Sequence, residues 1–259
     1  MIKLGQHFLK SKRVVDEIIA TANIESSDTI LEIGPGKGIL TEALLEQGCK
    51  VIAVEKDFEL VKFLREKFKN NKNLNLIHDD ILKIENWNLI ENCKLKIKNF
   101  KLVANIPYYI TGAILKKFLS AKKQPSLMVL MVQKEVAERI IAKDKRESIL
   151  SISVKAYGRP KIIKKVPAGC FSPPPKVDSV ILKIDNISKD FFVGHPMSHR
   201  IEEEKFFEMI KKGFSQKRKM LKNNLDISPD ILEKYGINAK ARAQELSLED
   251  WKKIYNHLN

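Results

Sequence analysis

The chain has 259 residues, 44% hydrophobic and 31% charged, and 47 basic against 32 acidic side chains give it a formal net charge of +15. That length suits one large domain or a large one plus a small one with a self-sufficient core, and the balance excludes collagen-like and disordered chains. The positive excess points to a polyanionic partner, nucleic acid first, with general solubility charge as the plainer reading.

Val14, Val15, Ile18, Ile19 and Ala22 recur at helical spacing. Residues 29–33 form a short apolar run that stops at glycines, which reads as a buried strand. Residues 40–45 then read as helix, 50–54 as strand, and 58–68 as helix with Leu60, Val61 and Leu64 inward. Strands follow at 74–77, 101–104 and 127–132, with helices at 114–119 and 136–141. Strand and helix in alternation imply βαβ units and a mostly parallel sheet.

After Ile149 the pattern changes. Residues 161–166 and 177–184 read as two more strands, seven in all. The loop between them carries Pro167, Gly169 and the run Pro173-Pro174-Pro175, which cannot donate to a ladder. From Glu202 onward the chain reads as helical, with Phe206, Phe207, Ile210 and Phe214 on one face. Ser228-Pro229 fits an N-cap followed by proline, and Ser247 to Asp250 has the form of a capping box. A boundary near residue 186 divides a domain at 1–185 from a small helical one at 186–259.

Cys49, Cys93 and Cys170 contain no C-x-x-C pair, which argues against a disulfide scaffold or a structural zinc site. His7, His78, His195, His199 and His257 have no metal-ligand spacing with cysteines, so no metal is expected. The first residues have no apolar stretch before their charges, so no signal peptide is expected. The longest strongly apolar run, 127–132, is too short to span a bilayer. The expectation is a cytoplasmic protein without membrane contact.

Glu32-Ile33-Gly34-Pro35-Gly36-Lys37-Gly38 lies where a strand ends and a helix begins. Glycines there allow a tight turn and close approach of a ligand, and the helix that follows aims free N–H groups at it. The G-x-G-x-G spacing differs from the G-x-G-x-x-G of dinucleotide binders. Glu55, ending the next strand, could accept from two ribose hydroxyls, and Asp80, after the third, from an adenine amine. Each alone is an ordinary loop residue. Together, at successive strand ends, they favour a nucleoside cofactor. The acid and glycine spacing resemble the S-adenosylmethionine methyltransferases, with NAD as the competing cofactor.

Asn105-Ile106-Pro107-Tyr108 follows the fourth strand directly. An asparagine oxygen and a backbone carbonyl held by proline can both accept from one amino group. That draws its lone pair out of conjugation and toward an incoming methyl. Tyr108 can stack on a base that has been unstacked or flipped out. The plain alternative is an ordinary X-Pro turn. The tetrapeptide resembles that of amino-group methyltransferases acting on nucleic acids. There is no G-x-S-x-G elbow and no P-loop to suggest other chemistry.

Over nearly its whole length the chain resembles the ribosomal RNA adenine dimethyltransferases, in particular their small-subunit branch. The match runs through Gly5-Gln6-His7-Phe8-Leu9, residues 32–41, Val54-Glu55-Lys56-Asp57, residues 105–111, residues 133–139, residues 171–179, residues 217–225 and residues 242–247. The resemblance implies a Rossmann-like methyltransferase domain with a seven-stranded, mostly parallel sheet and a C-terminal helical RNA-binding domain. It implies S-adenosylmethionine contacts at His7, Leu9, Gly34, Gly36, Gly38, Glu55, Asp80 and Asn105. It places the target amine at Asn105 and the carbonyl of Ile106 or Pro107, between Tyr108 and Phe171. The substrate implied is two adjacent adenines in the 3′-terminal hairpin of small-subunit rRNA, within an immature 30S subunit, acted on by a monomer. Alternatives are the large-subunit enzymes of macrolide resistance, an assembly factor without catalysis, and an NAD oxidoreductase. His7 stands where the family usually has asparagine, Asp79 where it usually has glycine, and residues 143–158 look shorter than usual.

Between Ser148 and Val177 lie Lys155, Arg159, Lys161, Lys164, Lys165 and Lys176 without an acid. A second basic cluster on the tail contains Arg218, Lys219 and Lys222, which are the expected rRNA contacts.

Overall fold

The computed structural model describes residues 7–84, 99–144, 146–193 and 201–258. Gly5, Gln6, Cys93, His195 and His199, singled out from the sequence, lie outside the described residues. By its contacts the chain divides into two compact units, residues 1–137 with 159–187, and residues 138–158 with 188–259.

In the first unit the elements run β1 (Phe8–Leu9), α1 (Lys12–Ala22), β2 (Thr29–Ile33), α2 (Ile39–Glu46), β3 (Lys50–Glu55), α3 (Phe58–Lys67), β4 (Leu74–His78), β5 (Lys101–Asn105), α4 (Thr111–Leu119) and β6 (Leu127–Gln133). α5 (Lys134–Ile141) continues into the second unit, and β7 (Arg159–Val166), β8 (Phe171–Ser172) and β9 (Ser179–Asp185) complete the first. Seven strands form one sheet in the order β4-β3-β2-β5-β6-β9-β7. The pairs from β4 to β6 are parallel, and β9 runs antiparallel between β6 and β7. This is the α/β sheet expected from the alternation.

All five residues of β2 are buried, as are Leu102, Val103 and Ala104 of β5. Strands covered on both faces read as continuous apolar runs rather than alternating ones. α1 lays Val14, Val15, Ile18 and Ala22 against this core, the residues marked by their spacing. β7 pairs with β9 alone, so Pro160 sits on an edge strand, where a missing N–H is tolerated. Among the described residues no helix is long and apolar enough to cross a membrane.

A second, two-stranded sheet pairs β1 with β8, Phe8 opposite Ser172 and Leu9 opposite Phe171. Two-residue strands carry no alternation, so nothing in the sequence pattern announces them.

The second unit holds α6 (Ile149–Lys155), α7 (Asp190–Val193), α8 (Glu203–Gly213), α9 (Leu221–Leu225), α10 (Pro229–Lys234) and α11 (Leu248–Leu258). Its division differs from the single cut at 185/186, because residues 138–158 belong to the helical unit. The reason is local. The Glu147 N–H donates to the Gln244 carbonyl at 2.7 Å, and the Ser188 N–H to the Tyr157 carbonyl at 2.8 Å. The Tyr157 ring joins a cluster with Phe192 and Phe207. The expected caps are present: Ser228 accepts from the Asp230 N–H ahead of Pro229, and Ser247 and Asp250 exchange bonds at 3.0 and 3.2 Å.

Candidate active site

The chain runs from β2 outward to β3 and β4, then returns to β5 on the other side of β2. Such a reversal opens a crevice at the carboxyl ends of the strands, where open α/β sheets bind ligands. Gly34 follows β2, Glu55 ends β3, Asp80 follows β4 and Asn105 ends β5. The sheet therefore gathers four residues far apart in sequence at one edge.

Two adjoining clefts occupy that edge, of about 750 Å³ and about 1150 Å³. Gly34, Glu55 and Pro107 line both. His7, Leu9, Gly36, Asn105, Ile106 and Tyr108 also line the first. Asp79, Asp80, Lys56 and Tyr109 also line the second. An elongated ligand could thus span from Asp80 to Asn105 past the Glu55 carboxylate.

The glycines are needed for close approach. Gly36 has φ +59, and a Cβ there would meet the Phe8 ring at 3.0 Å. Gly38 has φ +77, and a Cβ would lie 2.8 Å from both Leu64 and Phe68. Gly38 caps α2 and does not line either cleft; its lack of a Cβ lets Leu64 and Phe68 pack against the turn.

The Glu55 carboxylate is held by backbone. Its Oε1 accepts from the N–H groups of Lys56 and Asp57 at 2.8 and 2.9 Å, and Oε2 accepts from the Gly36 N–H at 3.2 Å. Asp80 Oδ2 accepts from Lys56 Nζ at 2.9 Å and Oδ1 from the Leu82 N–H at 3.0 Å. Lys56 first, and the Leu82 N–H next, hold the Asp80 carboxyl below the usual range. Asp79 Oδ1 accepts from the Asp80 N–H at 2.6 Å, and both acids line the second cleft.

Glu32 also lines the first cleft and is 1% exposed. Its Oε2 is buried without a partner. Burial pushes this carboxyl up to about 8, opposed by the Thr41 hydroxyl and helped by the Glu55 charge. A buried polar atom without a partner, at the wall of a cleft, suits a ligand that supplies a donor.

Asn105 Nδ2 donates to the His7 carbonyl at 3.4 Å, which fixes the amide and turns its oxygen into the available end. The Pro107 carbonyl already accepts from the Ile110 N–H at 3.1 Å, so the Ile106 carbonyl is the better second acceptor. The Tyr108 hydroxyl lies 2.6 Å from Ser179 Oγ, and burial raises its pKa. His7 Nδ1 lies 2.8 Å from the Pro173 carbonyl, and its ring stacks near Tyr108.

Phe171 does not join this site. It is 1% exposed, packs in the core cluster with Leu9 and Val15, and lines neither cleft. Its pairing with Leu9 across β1 and β8 sets it in that core at the head of the proline loop. Sequence reasoning gave no role to Phe8, Lys56 or Ser179, which support the turn, Asp80 and Tyr108 respectively. These are contacts across the fold, and no local spacing reveals them.

The basic stretch within 148–177 is also less positive than it reads. Lys155 pairs with Glu147, Lys164 with Glu17, and Lys165 with Asp178 at 2.8 Å. In the second unit Arg218 and Lys219 lie exposed in the turn between α8 and α9, and Lys222 is half-buried in α9.

The chain matches the family model described as ribosomal RNA adenine dimethylase over residues 1–259. It is 44% identical to a ribosomal RNA small subunit methyltransferase A of Dehalococcoides mccartyi, covering 97% of this chain and 86% of that protein. It is 39% identical to the protein of the same name from Clostridium botulinum, covering 97% and 91%. Among solved structures it is similar to a dimethyladenosine transferase from Plasmodium falciparum, with TM-score 0.79, 28% identity and 96% of each chain covered. It is also similar to the 23S rRNA methyltransferase ErmE, with TM-score 0.76, 25% identity and 97% and 99% covered.

Proposed function

The chain belongs to the ribosomal RNA adenine dimethylase family, and from that premise we propose that it methylates the N6 amines of two adjacent adenines in the 3′-terminal hairpin of small-subunit rRNA. S-adenosylmethionine is the methyl donor. The observation that carries the small-subunit reading is 38–44% identity, over 97% of the chain, to relatives all named for the small subunit. The likeness to the 23S enzyme, at 25% identity, gives the large-subunit alternative less support.

The residues at the strand ends fit the donor. The turn from Gly34 to Gly36 leaves room for close backbone approach, and the Glu32 carboxyl offers an unpaired oxygen. Glu55 would hold the ribose hydroxyls and Asp80 the adenine amine. His7, Leu9 and Gly34 would line the amino-acid end. S-adenosylmethionine supplies an already activated methyl group, so the protein's task is alignment rather than acid–base chemistry.

Asn105 Oδ1 and the Ile106 carbonyl would accept from the two N–H bonds of the target amine. Those bonds hold the nitrogen lone pair toward the methyl group and out of the purine ring. Tyr108 would stack on the flipped base, its ring held by Ser179. Arg218, Lys219 and Lys222 would hold rRNA phosphates, which position a substrate without reading its sequence. The working partner is an immature 30S particle, met in the cytoplasm by a monomer.

Primer extension through the 3′-terminal hairpin tests the proposal in a strain lacking the gene. Loss of both dimethyl stops is expected, and their retention would overturn it.

A further inference from the structure

The segment from His7 to Arg13 joins the Asn105 end of the first cleft to a cluster of cations. Asn105 Nδ2 donates to the His7 carbonyl, Phe8 and Leu9 pair with Ser172 and Phe171, and the Lys10 N–H donates to the Cys170 carbonyl at 2.9 Å. Leu9 lines the cleft, and α1 opens three residues later with Lys12 and Arg13. At about 3.3 Å per residue, Lys10 lies about 10 Å along the chain from His7. That is roughly three steps of a helical nucleic-acid strand, at about 3.4 Å each.

The Lys10, Lys12 and Arg13 side chains are exposed and have no partner among the described residues. Glu17, an acid of the next turn, is taken by Lys164 of β7, and the exposed Asp16 bonds to none of the three. Lys37 adds a fourth cation, its Nζ over the Phe8 ring at 5.1 Å. The placement is unfavourable for α1 itself. Its first turn holds two bases and no acid, and the Ser11 side chain makes no capping bond. A helix start carries partial positive charge and favours acids, so the two bases weaken the helix rather than hold it. The three cations also follow the family-like segment Gly5 to Leu9 and are no part of it.

We propose that Lys10, Lys12 and Arg13 hold backbone phosphates of the rRNA strand that leads into the first cleft. This rests on the reading of the chain as an rRNA adenine methyltransferase, and it gives the first unit an RNA surface of its own. Phosphate contacts position a strand without reading its sequence. The surface therefore sets where along the RNA a base enters, and the cleft selects the base.

The test replaces Lys10, Lys12 and Arg13 together by alanine in the full chain. A second variant, Lys10→Arg with Lys12→Arg and Arg13→Lys, keeps the charge. A control replaces Lys62, Lys69 and Lys72, exposed cations of α3 and the segment after it, by alanine. Filter binding of a synthetic 3′-terminal rRNA hairpin at several salt concentrations reads affinity and its salt slope. Thermal midpoint, S-adenosylhomocysteine affinity and KM for 30S particles lacking the marks are measured on the same proteins.

The alanine variant should bind the hairpin about tenfold or more weakly at about 0.1 M salt, with a log-affinity against log-salt slope flatter by about 2–3. Its KM for particles should rise in step, with cofactor affinity within about twofold of wild type and a thermal midpoint equal to or above it. The charge-keeping variant and the control should bind within about twofold of wild type. Unchanged affinity and slope in the alanine variant would overturn the proposal, and so would an equal loss in the control. A lower thermal midpoint together with lost cofactor affinity would assign the three residues to the fold and overturn it too. Failure of wild type to bind the hairpin or methylate the particles would instead overturn the functional reading beneath it.

Discussion

The Gly36 N–H donates to Glu55 Oε2 at 3.2 Å, so the end of β3 and the glycine turn after β2 hold each other in place. The second oxygen of the same carboxylate is occupied by the N–H groups of Lys56 and Asp57. Glu55 is thus both a wall of the two clefts and the brace of the turn. Glu55→Ala should weaken S-adenosylmethionine binding by about tenfold or more, since hydrogen bonds to charged groups contribute about 1.5–3 kcal/mol. Calorimetric titration checks this, and unchanged affinity would remove Glu55 from the cofactor site.

Asn105→Ala should separate binding from transfer. The His7 carbonyl takes the Nδ2 end of the amide, which leaves Oδ1 as the end that would meet the proposed target amine. Losing an oriented group that acts on the reacting atom typically costs about 10²–10³ in kcat. Cofactor affinity should fall far less than in Glu55→Ala. A variant that keeps full kcat in single-turnover methyl transfer would contradict the assignment.

Glu32 predicts a pH dependence. Its carboxyl titrates at about 8 in the folded protein against 4.5 when free, chiefly because it is buried. The folded state therefore holds the proton that the unfolded state has lost, and stability contributed by this group falls as pH rises from 4.5 toward 8. Glu32→Gln removes the titration, so its thermal midpoint should fall less than that of wild type across this range. Parallel curves for the two proteins would show that Glu32 is not the group responsible.

The sequence shows much of this arrangement because the strands are buried on both faces and read as unbroken apolar runs. The strands at 29–33, 50–55 and 101–105 end at or beside the residues proposed to carry the chemistry, so reading the strands also locates Gly34, Glu55 and Asn105. What stays hidden depends on contacts between distant segments. β1 and β8 are too short to show a period, yet their pairing turns Phe171 into the core and brings His7 beside Tyr108. Residues 138–158 read as a continuation of the first domain, although Ser148 and Ser151 form a capping box that opens a helix of the second unit. The basic run within 148–177 likewise meets its acids, Glu17 and Asp178 among them, only after folding.

The charge on the second unit should appear as a salt effect. If Arg218, Lys219 and Lys222 each meet a phosphate, replacing all three by alanine should flatten the log-affinity against log-salt slope by about 2–3. Filter binding of the 3′-terminal rRNA hairpin at several salt concentrations measures this. An unchanged slope would move the RNA contact to another surface.

The central claim is tested most directly by methyl transfer from tritiated S-adenosylmethionine to 30S particles from a strain lacking the dimethyl marks, with 50S particles as control. The account predicts incorporation approaching four methyl groups per 30S particle, two on each adenine, and none on 50S. Labelling of 50S instead, or of neither particle, would contradict it.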